Sequence, residues 1–315
     1  DGAYLILGGL GGLGRFMARR LVARGARDLT LVSRSAAGAD AAAFVDELRA
    51  TGATVRLCRA DLAVGAEVAA AIAEAASDRP LAGVVHAAGV LDDGVLLHLD
   101  AARLSHALAA KTVGLAHLHE QTRGLPLDVF IGFSSMTALT GSSAQGAYVA
   151  ANSYMDALMQ ARRAQGLPGL SVGWGPWAQA GMAARLDDRQ SQRLARQGIA
   201  ALPPDEALDA LERVAAGAPA HIGIMNVDWP AFFRQAPGAV EHPLFAALRP
   251  PPEQTPAKTA GAAGWTGRLL QAPPASRRAL LAGLVRDEIV RVVGGTSGTP
   301  IAPRQPLFDL GLDSL

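Results

Sequence analysis

Ser135, Tyr148 and Asn152 lie in one stretch, FSSMTALTGSSAQGAYVAANSY from Phe133 to Tyr154, and their types and spacing suit proton transfer. On a helix, a Tyr and an Asn four residues apart share a face and open on the same cleft. The interval from Ser135 to Tyr148 is long enough for a loop to return the hydroxyl to the phenol. A polar, small-residue loop capping an ordinary core helix has the same composition, and the stretch alone does not choose between the two. The elements that position it must decide.

At 315 residues and 50% hydrophobic content, the chain can bury the core of one large α/β domain with a further segment appended. A formal net charge of +1, with both signs mixed, argues against a nucleic-acid or polyanion surface as its main business. Cys58 is the single cysteine, which excludes an intrachain disulfide and a cysteine-based metal cage. In VRLC it reads as a buried strand thiol, compatible with a reducing cytoplasm. No apolar run reaches membrane-spanning length, and the first residues lack signal-peptide order, so a cytoplasmic location is expected.

AYLILGGLGGLG followed by FMARRLVARG reads as strand, glycine turn and helix. Gly9, Gly11 and Gly14 fit G-x-G-x-x-G: the first for the tight turn, the second for close approach of a pyrophosphate, the third for helix–strand packing. DLTLVSRS is the second strand. Where an NAD-binding fold places an acid against the ribose 2′-hydroxyl, this strand ends in Ser33, Arg34 and Ser35. A guanidinium and two hydroxyls suit a 2′-phosphate, so NADPH is preferred to NADH. A helix from about Asp40 to Thr51 leads to the strand TVRLC, with Asp61 placed to meet an adenine edge. A further helix, about Ala66 to Ala76, precedes LAGVVHAAG, whose Ala87, Ala88 and Gly89 let a cofactor pass close over a strand end. This alternation predicts a Rossmann-like, doubly wound parallel sheet with ligands at the carboxyl ends of its strands.

Leu91–Asp93 (LDD) follows, which by itself reads as a solvated turn. One helix is predicted from about Ala101 to Gln121, carrying Lys111. His106, His117 and His119 share no metal-ligand spacing with Cys or carboxylates, so no metal site is expected. LDVFIGFSS is the next strand and LSVGWGPW the one after the Tyr148 helix. Gly181 to Gly198 is polar, Arg-rich and flanked by glycine, which suits a lid. PPDEALDALERV opens a helix with proline, and HIGIMNVDW supplies the last strand, closing the domain near Phe233. Three segments are expected: a catalytic domain over 1–233, a linker over 234–274 whose Pro/Ala/Gly-rich part begins at Arg249, and a helical segment over 275–315 too short for a core of its own.

These residues resemble the short-chain dehydrogenase/reductase superfamily and, within it, the ketoreductase domains of modular polyketide synthases. The resemblance rests on GGLGGLG (Gly8 to Gly14), HAAGVLDDG, Lys111 in AKTVG, FSS to YVAAN, and GWGPWAQAGMA, over residues 1 to about 233. FDLGLDSL looks like the first part of an acyl carrier protein, in which Ser314 would receive phosphopantetheine. Most members of the superfamily have Lys four residues after the Tyr, where this chain has Asn152. In polyketide ketoreductases the Lys and Asn look exchanged, which puts Lys111 in the Asn position. A phenol ionises near pH 10 unperturbed, and an ammonium from either element can stabilise the ionised form.

The resemblance implies that NADPH reduces the β-carbonyl of an acyl thioester. Tyr148 would donate the proton, Ser135 hold the carbonyl oxygen, Lys111 contact the nicotinamide ribose and lower the Tyr148 pKa, and Asn152 position Lys111 and a relay water. Gly9, Gly11, Gly12, Leu13, Gly14, Ser33, Arg34, Asp61, Leu62, Ala87, Ala88 and Gly89 would hold the cofactor. Leu91, Asp92 and Asp93 match the fingerprint of B-type ketoreductases, which give the D-configured (3R) alcohol, and Thr140 stands where the opposite class has Trp. Leu7 replaces the Thr usual before the glycines. Family members carry a structural half ahead of the catalytic one, so that half, other synthase domains and a carrier-tethered β-ketoacyl substrate are the expected partners. Two other readings compete: a non-reducing scaffold domain, which usually lacks the Tyr or the glycine loop, and a free-standing NADP-dependent carbonyl reductase, which predicts no carrier tail.

Overall fold

A computed structural model of the chain describes residues 2–36, 38–89, 94, 96–142, 145–179, 192, 194–249, 267–293 and 302. It divides into two compact units, Asp1–Phe232 and Phe233–Leu315.

The first unit opens with β1 (Ala3–Leu7), α1 (Gly12–Ala23), β2 (Asp28–Ser33), α2 (Ala39–Ala50), β3 (Thr54–Arg59), α3 (Gly65–Ala75) and β4 (Leu81–His86). It continues through α4 (Ala101–Ala109), α5 (Val113–Thr122), β5 (Val129–Ser135), the single turn α6 (Thr137–Thr140), α7 (Gly146–Ala164) and β6 (Leu170–Trp174). Then come β7 (Ile199–Ala200), α8 (Pro204–Ala215), β8 (His221–Ile224) and β9 (Asn226–Val227), followed by a short helix over Trp229–Gln235. Seven strands form one parallel sheet in the order β3-β2-β1-β4-β5-β6-β8. The chain reverses direction across the sheet between β1 and β4, which opens the crevice where ligands bind in such folds.

Strand side chains alternate faces, so each strand feeds two cores. Ile6, Leu29, Leu31 and Val85 join Met17, Phe44, Leu48 and Leu208 on one face, under α1, α2 and α8. Leu5, Leu7, Val84 and Phe130 join Val68, Leu115, Leu118, Met155 and Met159 on the other, under α3, α5 and α7. Gly132 decides how near α7 lies to β5, because an added Cβ would stand 2.6 Å from the Met155 sulfur. This close approach sets the depth of the Tyr148–Asn152 face.

Two expectations change. The predicted helix from Ala101 to Gln121 is two helices broken at Ala110–Thr112, and Lys111 sits in the break. HIGIMNVDW is also two strands: β8 joins the parallel sheet, while β9 turns to pair antiparallel with β7. In the second unit, short 3-10 turns at Pro237–Glu241 and Pro243–Leu248 occupy part of the stretch expected as linker. A helix spans Pro274–Val293.

Candidate active site

The glycine loop is built on backbone contact. Gly8, with φ at +75°, takes the left-handed turn that the motif assigned to Gly9, and an added Cβ there would stand 2.7 Å from the Ala88 nitrogen. At Gly14 an added Cβ would stand 2.2 Å from the Gly8 carbonyl oxygen, so α1 can start this close to β1 only with glycine. Gly11 caps α1 without a side-chain bond, and a Cβ there would meet only the Gly8 carbonyl, at 3.2 Å. Nothing else lies within 4 Å of that Cβ, so the loop leaves the first-turn amides of α1 open to an approaching group, and such amides favour the negative charge of a pyrophosphate.

Ser33 closes β2 half-buried and Arg34 follows exposed. Ser33 pairs in register with Arg59 of β3, whose Nε donates to the Arg34 carbonyl at 3.3 Å. Neither guanidinium has a carboxylate partner among the described residues. Two unneutralised cations side by side at adjacent strand ends fit a dianionic 2′-phosphate. Arg59 escaped the sequence reading because it looked like an ordinary strand residue; the signal was its register with Ser33.

Lys111 is 5% exposed. Its Nζ donates to the Phe133 carbonyl of β5, in a very short contact, and to Asn152 Oδ1 of α7 at 2.9 Å. Asn152 Nδ2 in turn donates to the Tyr148 carbonyl one turn earlier, at 2.8 Å, which fixes the amide's orientation. Two of the three ammonium donors are thus used within the described residues, and one is left for a ligand hydroxyl. Burial pushes the Lys111 pKa down from 10.5 to about 8, partly offset by Asp156 on the same α7 face. The lysine is still mainly charged at neutral pH.

Ser135 and Tyr148 are both buried, at the end of β5 and in the first turn of α7. Ser135 Oγ accepts from the Thr137 amide at 3.2 Å and from Thr137 Oγ1 at 3.0 Å. Both bonds use the serine oxygen as acceptor, so its own O–H is available to donate to a carbonyl oxygen. Thr137 is a second residue the sequence reading missed, and the one-turn helix α6 that holds it carries no periodic signal. The arrangement comprises a phenol, a buried ammonium on the same framework, a hydroxyl free to donate and a pyrophosphate cradle, which together are parts for carbonyl reduction with a dinucleotide.

A family model described as KR domain matches residues 2–179, more than half of the chain. The chain belongs to the KR, or ketoreductase, family. All of it aligns with polyketide synthase GfsB of Streptomyces halstedii at 41% identity and with mycoketide-CoA synthase of Mycobacterium tuberculosis at 40%, yet it spans only 6% and 8% of those proteins. Among solved structures, it is similar to A-type ketoreductases from a modular polyketide synthase, with 40% identity and a TM-score of 0.69 over 80% of this chain and 50% of that one. A C2-type ketoreductase from a modular polyketide synthase is similar at 33% identity and a TM-score of 0.68, over 79% and 52%. The chain is an NADPH-dependent β-ketoacyl reductase of the short-chain dehydrogenase/reductase type.

Elsewhere in the ketoreductase, Asp61 follows β3 as expected, but its Oδ1 accepts from the Ala63 amide at 3.0 Å and so also caps a turn. Leu62 is buried against α5, where an added Cβ on Gly114 would stand 2.6 Å from its own Cβ, so only the Leu62 backbone is open to a cofactor. Ala87 and Ala88 continue from β4 half-buried, with the Ala87 amide donating to the Leu7 carbonyl at 2.8 Å. His119 packs against the fully buried Arg162 at 3.2 Å, a core role. Leu91, Asp92, Asp93, Ser314 and most of the expected lid lie outside the described residues. Among the described residues, no helix is long and apolar enough to cross a membrane.

Proposed function

We propose that this ketoreductase serves one module of a polyketide synthase and reduces the β-keto group of a carrier-bound intermediate to the D-configured (3R) β-hydroxyacyl thioester. The observation that carries the catalytic part is the buried Lys111 held by Asn152, whose own helix bears Tyr148. Bound at the glycine loop and the β2–β3 ends, NADPH would supply the hydride. Gly9, Gly11, Gly12, Leu13 and Gly14 would line its pyrophosphate, Ser33, Arg34 and Arg59 its 2′-phosphate, Asp61 and the Leu62 backbone its adenine end, and Ala87 to Gly89 the approach to its nicotinamide.

Ser135 donates a hydrogen bond to the substrate carbonyl oxygen, which polarises the carbon. Tyr148 gives that oxygen a proton as the carbon–oxygen double bond becomes single, so the ketone gains one hydride and one proton. Lys111 would offer its third N–H to the nicotinamide ribose, and its charge lowers the cost of leaving Tyr148 ionised. Asn152 keeps Lys111 in place and positions the water through which Tyr148 recovers its proton.

The stereochemical part rests on Leu91–Asp93 and on Thr140, where the opposite class has Trp. Similar structures include A-type and C2-type enzymes, so overall likeness does not choose the class. Leu91–Asp93 would decide from which side the tethered chain enters and so which carbonyl face meets the hydride. A structural ketoreductase half and other synthase domains are the proposed partners, and Ser314 is the proposed phosphopantetheine site of an adjoining carrier domain. NADPH consumption in the module that contains this chain, with a β-ketoacyl thioester beside a small free ketone, is the test. The thioester should be preferred and the product should be 3R. Preference for the free ketone marks a stand-alone reductase, no consumption marks a scaffold, and an S alcohol overturns the B-type assignment.

A further inference from the structure

His86 is the last residue of β4, in register with Leu7 of β1 and Gly132 of β5, in the middle of the sheet and 0% exposed. Its neighbours Val84 and Val85 show what the strand needs for packing alone. A buried imidazole costs free energy unless its polar atoms are used. Its Nε2 lies 2.9 Å from the Ala110 carbonyl oxygen, and since a carbonyl only accepts, Nε2 carries the hydrogen.

Ala110 opens the break between α4 and α5, and the next residue is Lys111. A continuous helix would carry Lys111 on a regular turn, with the Ala110 carbonyl bonded to an amide four residues on. Here that carbonyl is bonded to the sheet instead. The Lys111 side chain is tied from the other end, by Phe133 of β5 and Asn152 of α7. Three residues past the end of β4, an added Cβ on Gly89 would stand 2.8 Å from Lys111 Cε, so β4 and its extension touch both the backbone before the lysine and its stem.

We infer that His86 is a positioning residue: as a neutral Nε2–H donor it pins the α4–α5 break at Ala110 and so sets where Lys111 delivers its charge. This rests on the reading of Lys111 as the cation that serves Tyr148. Among the described residues, the titratable groups that face Lys111 include Asp156 of α7, whose charge partly offsets the effect of burial on the lysine, and His86 of β4, on which the lysine's charge acts in turn; Tyr148 stands on the same helix as Asp156. Burial and then the Lys111 charge press the His86 pKa down to about 4, so the pin adds no second positive charge over the working range.

Two polar variants separate this from a packing role. In His86→Gln the side-chain amide reaches about as far as Nε2, whereas in His86→Asn it stops at about the position of Nδ1 and cannot reach Ala110. His86→Asn is expected to lower kcat for the β-ketoacyl thioester about 10- to 100-fold through displacement of the lysine. It should also move the alkaline limb of the pH–rate profile upward, because Tyr148 loses the nearby charge. Labelling of the Lys111 amine with acetic anhydride across a pH series, followed by mass spectrometry of the folded enzyme, should show its pH midpoint move from about 8 up towards the ordinary lysine value of 10.5 as the lysine leaves its buried site. His86→Gln should restore all three readings toward wild type. Wild-type labelling in His86→Asn, or equal losses in both variants, overturns the inference. Lys111→Met run in parallel isolates the underlying reading: if its turnover and alkaline limb are unchanged, Lys111 does not serve Tyr148, while the labelling comparison still reports whether His86 holds it.

Discussion

Lys111 and Asn152, 41 positions apart in the chain, are joined by a hydrogen bond of 2.9 Å in which the buried ammonium donates to the amide oxygen. The bond closes a framework running from the α4–α5 break to α7, on which Tyr148 stands one turn before Asn152. Its energetic character is unusual for a core contact. Lys111 is held charged where burial disfavours charge, so the site stores a cost that the remainder of the fold must offset.

This cost makes Lys111→Met a test of function against stability. The folded pKa of about 8 lies below the unfolded value of 10.5, so between these values the unfolded chain binds more protons and stability rises with pH. Below pH 8 the full penalty applies, roughly 3 kcal/mol at about 1.4 kcal/mol per tenfold change in protonation. The stability of Lys111→Met relative to wild type should therefore be greatest at pH 7 to 8 and fall by about that amount towards pH 10.5. Urea denaturation of both proteins across this range measures it, and a pH-independent difference would show that Lys111 is not a strained cation. Turnover of the variant should fall at least about 100-fold throughout.

Tyr148→Phe removes one oxygen and leaves the packing of α7 in place. General acid catalysis contributes about 10²–10⁴-fold, so turnover should fall by that factor. NADPH affinity, read from the fluorescence of the bound nucleotide, should stay within about twofold, since the phenol is not part of the glycine loop. Wild-type turnover in this variant would displace Tyr148 as proton donor.

The parallel sheet was legible in the sequence because apolar strands, glycines and amphipathic helices alternate over the whole first unit. The break around Lys111 was not. Ala101 to Gln121 contains no proline and is rich in helix formers, so local propensity predicts continuity. The interruption comes from tertiary contacts: His86 takes the Ala110 carbonyl, and Phe133 and Asn152 take the lysine. β7 and β9, two residues each, are too short for any period to show. Of the candidate site, Ser135, Tyr148 and Asn152 stood out by residue type and spacing and Lys111 by the family resemblance, and the fold joins Lys111 to Asn152. Thr137 and Arg59 did not stand out, because each acts only through a neighbour that the fold supplies.

Gly14→Ala tests the cradle. The new Cβ would stand 2.2 Å from the Gly8 carbonyl oxygen and 2.8 Å from Gly9 Cα, all backbone that cannot swing away. α1 must retreat from β1, which spreads the loop that faces the pyrophosphate. Overpacking of this kind costs about 1–3 kcal/mol, so thermal unfolding should move down by several degrees and NADPH affinity should drop by more than about tenfold. Tight NADPH binding in this variant would mean that the glycine loop does not hold the nucleotide.

Arg34 and Arg59 test the choice between NADPH and NADH. Both side chains are exposed and lack a carboxylate partner among the described residues, and Arg59 Nε donates to the backbone carbonyl of Arg34 at 3.3 Å. A 2′-phosphate would accept from both, and since exposed contacts are screened, each should contribute about tenfold in affinity rather than more. In Arg59→Gln the Kd for NADPH and for 2′-phosphoadenosine nucleotides should rise by about that factor while the Kd for NADH stays the same. The effect should shrink as salt is raised from 50 to about 500 mM, because the Debye length shortens. Arg34→Gln should show the same pattern, and the double variant should bind the two cofactors about equally. Equal weakening of NADPH and NADH in either single variant would place that arginine on a part of the nucleotide the two share and remove it from 2′-phosphate recognition.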